Sequence, residues 1–590
     1  MREKWIQHMK KADFEDWGRS LSVSPLVARI LRNRDILTKE DARKFLYGTV
    51  SDLADPYLLS GMREAVALIR DAVRRNVPVA ISSDYDDDGI FSARILFEGI
   101  REVGGKAYIF SPNRITEGYG INHRIIEEAL AKGCGLLVTC DNGISAKNEI
   151  DYAREKGLAV VVTDHHEIPY DEGENGEKKY ILPAADAIVD PKLPESPYPF
   201  KELCGAGVAF RLIQCLYEVF GIEKEREKEL YEYVAIATVA DVVPLQDENR
   251  ILVKAGLEAL HHTKKVPLLA LMEACGIEKR NLSAYHIGFV IGPAFNAIGR
   301  LGDISLAFRF LDTEDPGEAW ILAEEIRSVN EERKQMTEDG FRNALETIER
   351  DRLSEDKVIL VYLPDVHESV VGIIAGRVKE KYQRPAFVLT KAEDGNLKGS
   401  GRSIREYHMV AELTAVKELL LKYGGHKMAA GLSLLPENLE ALRTELNRRT
   451  TLTEADLTPK VYIDAELPLS YVTPGLVEEL ALLEPAGMAN TKPLFAGKHF
   501  KVLSARIVGK NRNVLSLLIA DNGRKMSAVM FGDPDSFLDT VRAEYGDEAV
   551  QKMLRGNGNA DMAFVFYPEF NDFRGERNVQ IIVTNYCRIR

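Results

Sequence analysis

Between residues 77 and 163, four short apolar runs alternate with segments of helical pattern. The runs are VPVAIS (77–82), AYIFS (107–111), LLVTC (136–140) and LAVVVT (158–163), and segments such as FSARILFEGIREVG and NHRIIEEALAKG lie between them. Strand and helix in this order and at this spacing are typical of a parallel sheet with covering helices. The sequence therefore predicts an α/β fold for this part of the chain.

Acidic residues stand where three of these predicted strands end, and one further acid closes the apolar segment YVAIATVAD. Together with two histidines they are Asp84, Asp86, Asp88, Asp141, Asp164, His165, His166 and Asp241. In an open parallel sheet, ligands bind outside the carboxyl ends of the strands. We therefore expect these side chains to share one crevice.

The residue types in this crevice indicate a metal site. Crowded carboxylates resist ionising unless a cation lies among them, and carboxylates with one or two imidazoles suit Mg²⁺ or Mn²⁺ better than Zn²⁺. More carboxylates than one ion needs imply two ions bridged by a shared aspartate, an arrangement used for attack on phosphodiesters. A single acidic turn would be equally well explained as a solvated loop, but three strand ends at one edge favour the metal site.

At 590 residues the chain is too long for one hydrophobic core, so several domains are expected. The patterns predict a helical segment (1–75), the α/β domain with the acids (76–315), a long charged linking helix (316–354), a second α/β domain (355–450) and a C-terminal barrel (456–590). The barrel prediction rests on five short strands separated by turn residues, and an OB-fold is the first choice.

Composition narrows the function classes. No apolar run approaches the ~18 residues that span a bilayer, the first residues lack the apolar core of a secretion signal, and six scattered cysteines argue against a disulfide framework. We therefore expect a cytoplasmic protein. The net charge of −14 argues against a DNA-coating protein. Residues 377–427, however, carry eleven basic and six acidic residues, which marks either a polyanion contact or a solvated face.

Four motifs make the chain resemble a known group of enzymes. DYDDDG, DNG, DHH and VADVVPL are similar, in order and spacing, to the motifs of the DHH phosphoesterase superfamily. ELCGAGVAFRL, IGPAFNAIGRLGD, GSGRSI and GGHKMAAGLSL resemble the RecJ branch of single-strand-specific exonucleases, and ALLEPAGMANTKPLF resembles its approach to the OB domain. The resemblance implies that the second α/β domain is of the DHHA1 type.

The resemblance also implies roles for the residues of the acidic crevice. The metal-binding positions are Asp86, Asp88, Asp141, His165 and Asp241. Asp84 supplies a ligand or orients one, because Ser82 stands where smaller superfamily members have a histidine. Asp141, Asp164 and His166 are the catalytic residues, with Asp164 holding the tautomer of His165 and His166 facing the scissile phosphate.

Substrate contacts are expected mainly in the second α/β domain. The candidates are Asn296, Arg300, His367, Arg377, Ser400, Arg402, Ser403, Gly425 and His426. Ala294 replaces the usual arginine after the proline, and Glu368 and Ser369 stand where Pro and Gly are common. Gly424 and Gly425 either let backbone N–H groups approach phosphate or cap a preceding helix. In the barrel, Phe500, Phe531 and Tyr567 are candidates for base stacking or for the core.

The function expected from the resemblance is a metal-dependent 5′-to-3′ exonuclease that degrades single-stranded DNA to mononucleotides with two Mn²⁺ or Mg²⁺ ions, in repair and recombination. A phosphodiesterase for nanoRNA or cyclic dinucleotides is the alternative, although such enzymes are half this length and lack the barrel. A non-catalytic DNA-binding scaffold is the alternative from another class, and it predicts eroded metal ligands. Enzymes of this kind usually need a helicase or a single-strand-binding protein, and we expect a monomer.

Overall fold

The structure is a computed structural model and describes residues 3–114, 116–173, 175–573 and 576–588. The strands are β1 (Lys4–Gln7), β2 (Val79–Ser83), β3 (Ala107–Phe110), β4 (Leu136–Cys140), β5 (Ala159–Thr163), β6 (Tyr170–Glu172), β7 (Lys178–Tyr180), β8 (Ala187–Val189), β9 (Ile359–Tyr362), β10 (Ala386–Lys391), β11 (Leu397–Arg402), β12 (Lys422–Gly425), β13 (Ala429–Leu434), β14 (Lys460–Ile463), β15 (Ala465–Glu466), β16 (Phe495–Val508), β17 (Val514–Asp521), β18 (Arg524–Phe531), β19 (Ala560–Phe573) and β20 (Glu576–Arg588).

The α-helices are α1 (Phe14–Leu21), α2 (Pro25–Asn33), α3 (Lys39–Tyr47), α4 (Met62–Arg74), α5 (Asp87–Glu102), α6 (His123–Ala131), α7 (Lys147–Glu155), α8 (Gly205–Phe220), α9 (Tyr231–Ala240), α10 (Asp247–His262), α11 (Val266–Ala274), α12 (Ala284–His286), α13 (Gly292–Leu301), α14 (Ser305–Asp312), α15 (Pro316–Arg350), α16 (Val371–Tyr382), α17 (Met409–Thr414), α18 (Leu439–Arg449), α19 (Pro474–Leu480), α20 (Pro534–Tyr545) and α21 (Asp547–Leu554). A π-helical stretch, Ile287–Ile291, joins α12 to α13. Within the residues that the structure describes, no helix has the length and apolar character needed to cross a membrane.

The chain forms two compact units, and the larger one contains residues 54–243 and 252–459. Its first sheet has the order β3-β2-β4-β5-β8, and all of its strands are parallel. The four strands predicted between residues 77 and 163 are therefore confirmed. The edge strand β8 is an addition, because a run of three residues gives too weak a pattern to predict.

The second sheet of the same unit has the order β12-β13-β11-β10-β9. Only β9 and β10 are parallel, and the other pairs are antiparallel. Helix α15 is the predicted long charged helix, and the side chain of Asp315 caps its first turn by accepting a hydrogen bond from the N–H of Glu318 at 2.7 Å. The α/β fold with a linking helix and a second α/β domain is thus confirmed.

The smaller unit contains residues 3–53, 244–251 and 460–590. Strands β16, β17, β18, β20 and β19 close into a barrel through the pairing of β16 with β19, which confirms the predicted barrel. Residues 1–75 were expected to be helical, but β1 pairs in parallel with β14. The buried side chains of α1–α3, such as Trp17, Leu31 and Phe45, share one hydrophobic core with barrel residues such as Phe495.

Candidate metal centre and phosphate-binding cluster

His165 is the point at which three acidic elements of the larger unit meet. Its Nε2 atom lies 3.1 Å from Oδ1 of Asp141, 3.5 Å from Oδ2 of Asp88 and 3.8 Å from Oδ2 of Asp241. Asp141 directly follows β4, Asp88 lies in the first turn of α5, and Asp241 directly follows α9. The carboxyl ends of the parallel strands thus bring together residues that lie far apart in sequence.

Three sets of side chains are spaced closely enough to hold a cation. Within each set the ligand atoms lie within 4.8 Å of one another, and the sets are Asp141–His165–His166, Asp88–His165–Asp241 and Asp84–Asp86–Asp141. Asp141 and His165 each belong to two sets. We refer to Asp84, Asp86, Asp88, Asp141, His165 and Asp241 as the metal centre. Their oxygen-rich donors suit Mg²⁺ or Mn²⁺.

The electrostatics of these carboxylates are unfavourable without a cation. Burial, followed by the charge of Asp88, raises the pKa of Asp141, and the same two causes raise the pKa of Asp241. In addition, Oδ2 of Asp241 is buried without a hydrogen-bond partner. Crowded, buried carboxylates of this kind repel one another until positive charge is placed among them. The residues of the centre therefore fit a divalent cation.

Helix α8 holds Asp88 in place through its N-terminus. The backbone N–H groups of Gly205 and Ala206 donate to the two carboxylate oxygens of Asp88 at 2.6 and 2.8 Å. These bonds oppose the effects of burial and of Asp86, which raise the pKa of Asp88 to about 6. A side chain on Gly205 would place its Cβ 2.7 Å from Cβ of Asp141. The glycine therefore allows the helix to approach the metal centre.

His166 forms a separate contact with Asp164. Nδ1 of His166 lies 2.7 Å from Oδ1 of Asp164, and the Tyr119 hydroxyl lies 3.2 Å from the same nitrogen. Burial opposes the charged imidazole, but the hydrogen bond and charge of Asp164 raise the pKa of His166 to about 9. Asp164 was expected to fix the tautomer of His165, and this was wrong. It accepts from the backbone N–H of His165 at 2.8 Å, while its ring partner is His166, because adjacent side chains at a strand end point in different directions.

A second group of residues joins α13 to the second sheet. Nη1 of Arg300 donates to the carbonyl of Ser369 at 3.0 Å, and Nη1 of Arg402 donates to Oγ of Ser400 at 2.9 Å. A Cβ on Gly372 would lie 3.0 Å from Nη2 of Arg402. We call Arg300, Ser369, Gly372, Ser400 and Arg402 the phosphate-binding cluster, after the substrate contact expected of Arg300, Ser400 and Arg402.

Several arginines bring positive charge to this cluster. Burial, followed by the charges of Arg114 and Arg333, lowers the pKa of Arg300 to about 10. The charge of Arg114 also lowers the pKa of Arg402, after burial. Arg114 further lies over the ring of Tyr85, at 4.8 Å from its centroid. Guanidinium groups gathered in this way favour binding of an anion such as phosphate.

Asn296 and His367 are engaged with backbone groups near the two clusters. Oδ1 of Asn296 accepts from the N–H of Asp87 at 3.4 Å, which ties α13 to the first acidic loop. Nδ1 of His367 lies 2.7 Å from Oγ of Ser369 and accepts from the N–H of the same serine at 3.3 Å. Both residues thus support elements that carry the metal centre or the phosphate-binding cluster.

The structure contradicts one expected substrate contact and pairs a second one with an acid. Ser403 is buried, and its hydroxyl donates to the carbonyls of Ile404 and Tyr407. Successive side chains alternate across a strand, so Ser400 and Arg402 share one face of β11 and Ser403 points into the core. Arg377 pairs with Glu338 of α15 at 3.1 Å and lies over the ring of Phe341. Arg377 thus has an acidic partner on the long helix, and its contact with substrate stays a prediction.

Gly425 and His426 lie in the hairpin between β12 and β13. No α-helix precedes Gly424 and Gly425 directly, since both belong to β12 in the described structure, so the helix-cap interpretation was wrong. Gly425 has a φ of +136°, and a Cβ there would lie 2.4 Å from the carbonyl of Ala429. His426 is exposed, and its N–H donates to the same carbonyl at 2.7 Å. The hairpin therefore presents backbone and imidazole to solvent.

Sequence reasoning missed three residues near these clusters. They are Arg114, Tyr119 and Asp190, and each lies in or after a segment without strong periodicity. The sequence did offer a signal for two of them, since Tyr119 lies between two glycines in GYG and Asp190 follows the short apolar run AIV. Asp190 follows β8 at the same sheet edge as the other acids. It is buried, its Oδ2 has no hydrogen-bond partner, and burial, followed by the charge of Asp164, raises its pKa to about 8.

The barrel aromatics divide between core and surface. Phe500 is fully buried and packs against Phe564 and Phe566 in the barrel interior, so a role in base stacking is excluded. Tyr567 is half-buried and lies under Nζ of Lys492, at 4.7 Å from its ring centroid. Phe531 is 63% exposed at the end of β18. Of the three candidates, only Phe531 has a ring that is mostly exposed to solvent.

Family models match three parts of the chain. The DHH family, N-terminal domain, matches residues 78–238, the DHHA1 domain matches 355–451, and the RecJ OB domain matches 463–585. The first two matches lie on the two sheets of the larger unit, and the third lies on the barrel. Fold and site thus define a protein of the DHH phosphoesterase superfamily.

Individual relatives narrow this class. A relative from Bacillus subtilis, named single-stranded-DNA-specific exonuclease RecJ, is 35% identical over 532 residues, which are 90% of this chain and 66% of the relative. A protein of the same name from Dickeya dadantii is 34% identical over 582 residues, 95% of this chain and 96% of the relative. The chain thus spans about two thirds of the first relative and nearly all of the second. It belongs to the RecJ family.

Solved structures agree with this assignment. RecJ from Thermus thermophilus in complex with Mn²⁺ has a TM-score of 0.80 and 28% identity, covering 100% of this chain and 80% of that chain. Its complex with Mg²⁺ has a TM-score of 0.74 and 27% identity, covering 100% and 79%. These are the two cations that the donor set of the metal centre favours.

Proposed function

We propose that this chain is a metal-dependent exonuclease that degrades single-stranded DNA from its 5′ end to mononucleotides, in DNA repair and recombination. The observation that carries the proposal is the convergence of three carboxylates on Nε2 of His165, in the unit that also holds the phosphate-binding cluster. The names of the RecJ relatives support the substrate class. The cleavage direction and the cellular role rest on the family resemblance.

The metal centre offers donors for two cations. Asp141 and His165 each belong to two of the three sets, so a pair of cations could share them. Divalent cations in such a pair would lower the pKa of a bound water molecule and would neutralise negative charge on the phosphate. Asp88 is oriented by the N-terminus of α8, and Asp86 caps α5 by accepting from the N–H of Gly89 at 3.1 Å. These bonds hold the donors ready for the ions.

His166 is suited to donate a hydrogen bond to a phosphate oxygen. Despite burial, the hydrogen bond and charge of Asp164 raise the pKa of His166 and so favour its protonated imidazole. Nδ1 is held by Asp164, and Nε2, which lies 3.4 Å from the Tyr119 hydroxyl, is the donor that would face the substrate. The ring is half-exposed next to Asp141. A protonated imidazole in this position would stabilise negative charge on the substrate.

The phosphate-binding cluster would hold the strand while it is cut. Arg300 comes from α13 and Arg402 from β11, and both guanidinium groups are largely desolvated. A fixed phosphate is aligned with the metal centre, which lowers the entropic cost of the reaction. The barrel would add contacts for the trailing strand, with Phe531 as its exposed ring. Protein partners, a monomeric state and a cytoplasmic location stay predictions.

The proposal is tested by incubating end-labelled single strands, duplexes and dinucleotides with the full chain and Mn²⁺ or Mg²⁺. We expect mononucleotides from single strands, little product from blunt duplexes and none in EDTA. The matched control is the same incubation with Ca²⁺, which takes more ligands at longer distances than Mg²⁺. Cleavage of dinucleotides alone would instead support the phosphodiesterase alternative, and binding without cleavage would support the scaffold.

A further inference from the structure

Two aromatic side chains of the larger unit are exposed next to each other. Tyr285 is 63% exposed and Phe289 is 68% exposed, and their ring centroids lie 4.9 Å apart with an interplanar angle of 28°. They lie one turn apart on the continuous helical run from Ala284 to Leu301. We call them the aromatic pair. Large rings exposed together cost hydration free energy and commonly mark a binding surface.

The aromatic pair begins an accessible stripe along this helical run. The accessible positions of the stripe are Tyr285, Phe289, Pro293, Asn296 and Arg300, three or four residues apart. Residues between them, such as Ile291, Ala294 and Ile298, are buried. The spacing is that of one face of a helix. The aromatic pair therefore shares a face with Arg300 of the phosphate-binding cluster and with Asn296, which contacts the first acidic loop.

The middle of the stripe passes against the metal centre. Asn296 of the stripe accepts a hydrogen bond from the backbone N–H of Asp87 at 3.4 Å. The buried face of the same helical run packs beside it, where a Cβ on Gly292 would lie 2.6 Å from Cβ of Ala240. Asp87 is next to the ligands Asp86 and Asp88, and Ala240 directly precedes the ligand Asp241. The C-terminal end of the stripe is Arg300, which binds the carbonyl of Ser369. The aromatic pair and the phosphate-binding cluster thus lie at opposite ends of a stripe that runs past the metal centre.

We propose that Tyr285 and Phe289 form a stacking site for one nucleobase of the single strand, on the 3′ side of the scissile phosphate. This inference rests on the proposed function. Every base has a π-face, so stacking holds a strand without regard to sequence. With the 5′ end at Arg300 and Arg402, the strand would run past the metal centre and reach the aromatic pair.

The helix sets the distance that the strand must span. Arg300 lies eleven positions after Phe289, which corresponds to about 16 Å along a helix at a rise of about 1.5 Å per residue. A single strand at a rise of 3.4 Å covers this in about five nucleotides, and in fewer when extended. The stacked base therefore belongs to one of the first few nucleotides. The occupant is nucleic acid because the stripe is continuous with the phosphate-binding cluster.

The test removes one base at a time from the DNA and both rings of the aromatic pair from the protein. Strands with a 5′-phosphate and one abasic position, moved stepwise from the 5′ end, are titrated into the inactive Asp141→Asn chain. At one of about the first five positions, we expect base loss to weaken binding about tenfold. The same chain with Tyr285→Ala and Phe289→Ala should bind the intact strand about tenfold more weakly and show no further loss at that position.

Two variants make this result specific. Tyr285→Leu with Phe289→Leu keeps apolar bulk without rings, and it should behave like the alanine pair. Ile321→Ala removes a side chain of α15 that is 67% exposed, and it should leave affinity and the abasic profile unchanged. Retention of full affinity by the leucine pair would overturn the stacking site, because apolar bulk without rings would then be sufficient. A dimer that the alanine pair abolishes would overturn it in favour of a second copy.

The same samples separate this inference from the proposed function. Digestion of single strands by the unsubstituted chain tests the proposed function alone. If digestion occurs but base loss weakens binding equally in the chains with and without the aromatic pair, the stacking site is wrong and the proposed function stands. If the unsubstituted chain neither binds nor digests single strands, both are wrong.

Discussion

Arg402 brings the charge of the second sheet to the phosphate-binding cluster. Arg402→Ala should weaken binding of single strands of any sequence, because a phosphate contact carries no base information. One lost contact should reduce the slope of log affinity against log salt concentration by about 0.7. The measurement is affinity at several salt concentrations for two unrelated sequences, in the inactive Asp141→Asn chain.

Arg377→Ala is the matched control for Arg402→Ala. It also removes one arginine near the second sheet, but Glu338 neutralises this arginine in the structure. We therefore expect little change in its salt slope. An unchanged slope for Arg402→Ala, or a change of preference between the two sequences, would contradict the assignment of Arg402 to phosphate.

Asp190 predicts a pH dependence of stability. Burial raises its pKa from 3.8 to about 8, so the folded state keeps a proton that the unfolded state releases between these values. Its contribution to stability is complete below pH 3.8 and is lost as the pH rises to about 8. In EDTA, the unfolding temperature of the unsubstituted chain should decrease from about pH 6 to about pH 9, and Asp190→Asn should decrease less. Parallel curves would contradict a buried, neutral Asp190.

Most residues of the metal centre could be predicted from the sequence, and the reason is physical. Parallel strands end at one edge, so the acids after VPVAIS, LLVTC and LAVVVT had to converge. Contacts made by loops and by helix faces could not be predicted in the same way. The prediction that Ser403 contacts substrate was wrong because this residue, which directly follows β11, continues the alternation of the strand and points inward. The roles of Arg377 and Tyr119 depend on partners distant in sequence, Glu338 and His166.

At the scale of elements, the approach of α8 to the metal centre depends on the absence of a side chain at Gly205. Gly205→Ala would place a Cβ 2.7 Å from Cβ of Asp141, so either the helix or Asp141 must move. We expect weaker binding of Mn²⁺ and a loss of stability of about 1–3 kcal/mol. Calorimetric titration with Mn²⁺ and thermal unfolding measure the two effects.

Gly207→Ala provides the control on the same helix. The three atoms nearest to its Cβ would all belong to the side chain of Leu203, the nearest at 3.3 Å. This variant should keep the Mn²⁺ affinity of the unsubstituted chain, because it leaves Asp88 and Asp141 in place. Equal effects of the two substitutions would show that helix stability, and not the close approach at Gly205, is responsible.

The three N-terminal helices form an element that depends on the barrel. Their side chains share a core with β16–β20, and β1 pairs with β14. A chain that ends at residue 450 should therefore expose this apolar face. We expect limited proteolysis to remove residues 3–53 rapidly from the truncated chain and slowly from the full chain. Equal protection in both would contradict the shared core.

At the scale of the whole molecule, the sequence predicted the order of folds but not the composition of the units. The smaller unit combines residues 3–53, 244–251 and 460–590. Local patterns predict helices and strands, but they carry no signal for pairing between segments about 450 residues apart. Arg250 illustrates this: its guanidinium donates to carbonyls of Phe45, Leu482 and Glu484, and nothing in its local sequence indicates such a site.

The net charge of the molecule is consistent with binding of DNA at one site. The net charge is −14, so we expect long-range attraction to DNA to be weak and the arginines around Arg300 to supply the contact. We therefore expect the substrate to be held at the site and not along the whole surface. The central claim is therefore that the metal centre cuts the strand while the arginines around Arg300 hold it.

The most direct test of that claim is Asp141→Asn. Asp141 belongs to two of the three ligand sets and has a φ of +59°, a conformation that asparagine tolerates well. The single measurement is release of mononucleotides from 5′-labelled single-stranded DNA in Mn²⁺, for the unsubstituted chain and for Asp141→Asn, with binding recorded in parallel. We predict early release of labelled mononucleotide by the unsubstituted chain. For Asp141→Asn we predict a rate at least about a thousandfold lower with affinity retained, since loss of metal catalysis costs several kcal/mol. A substantial rate for Asp141→Asn, or no release by the unsubstituted chain, would contradict the account.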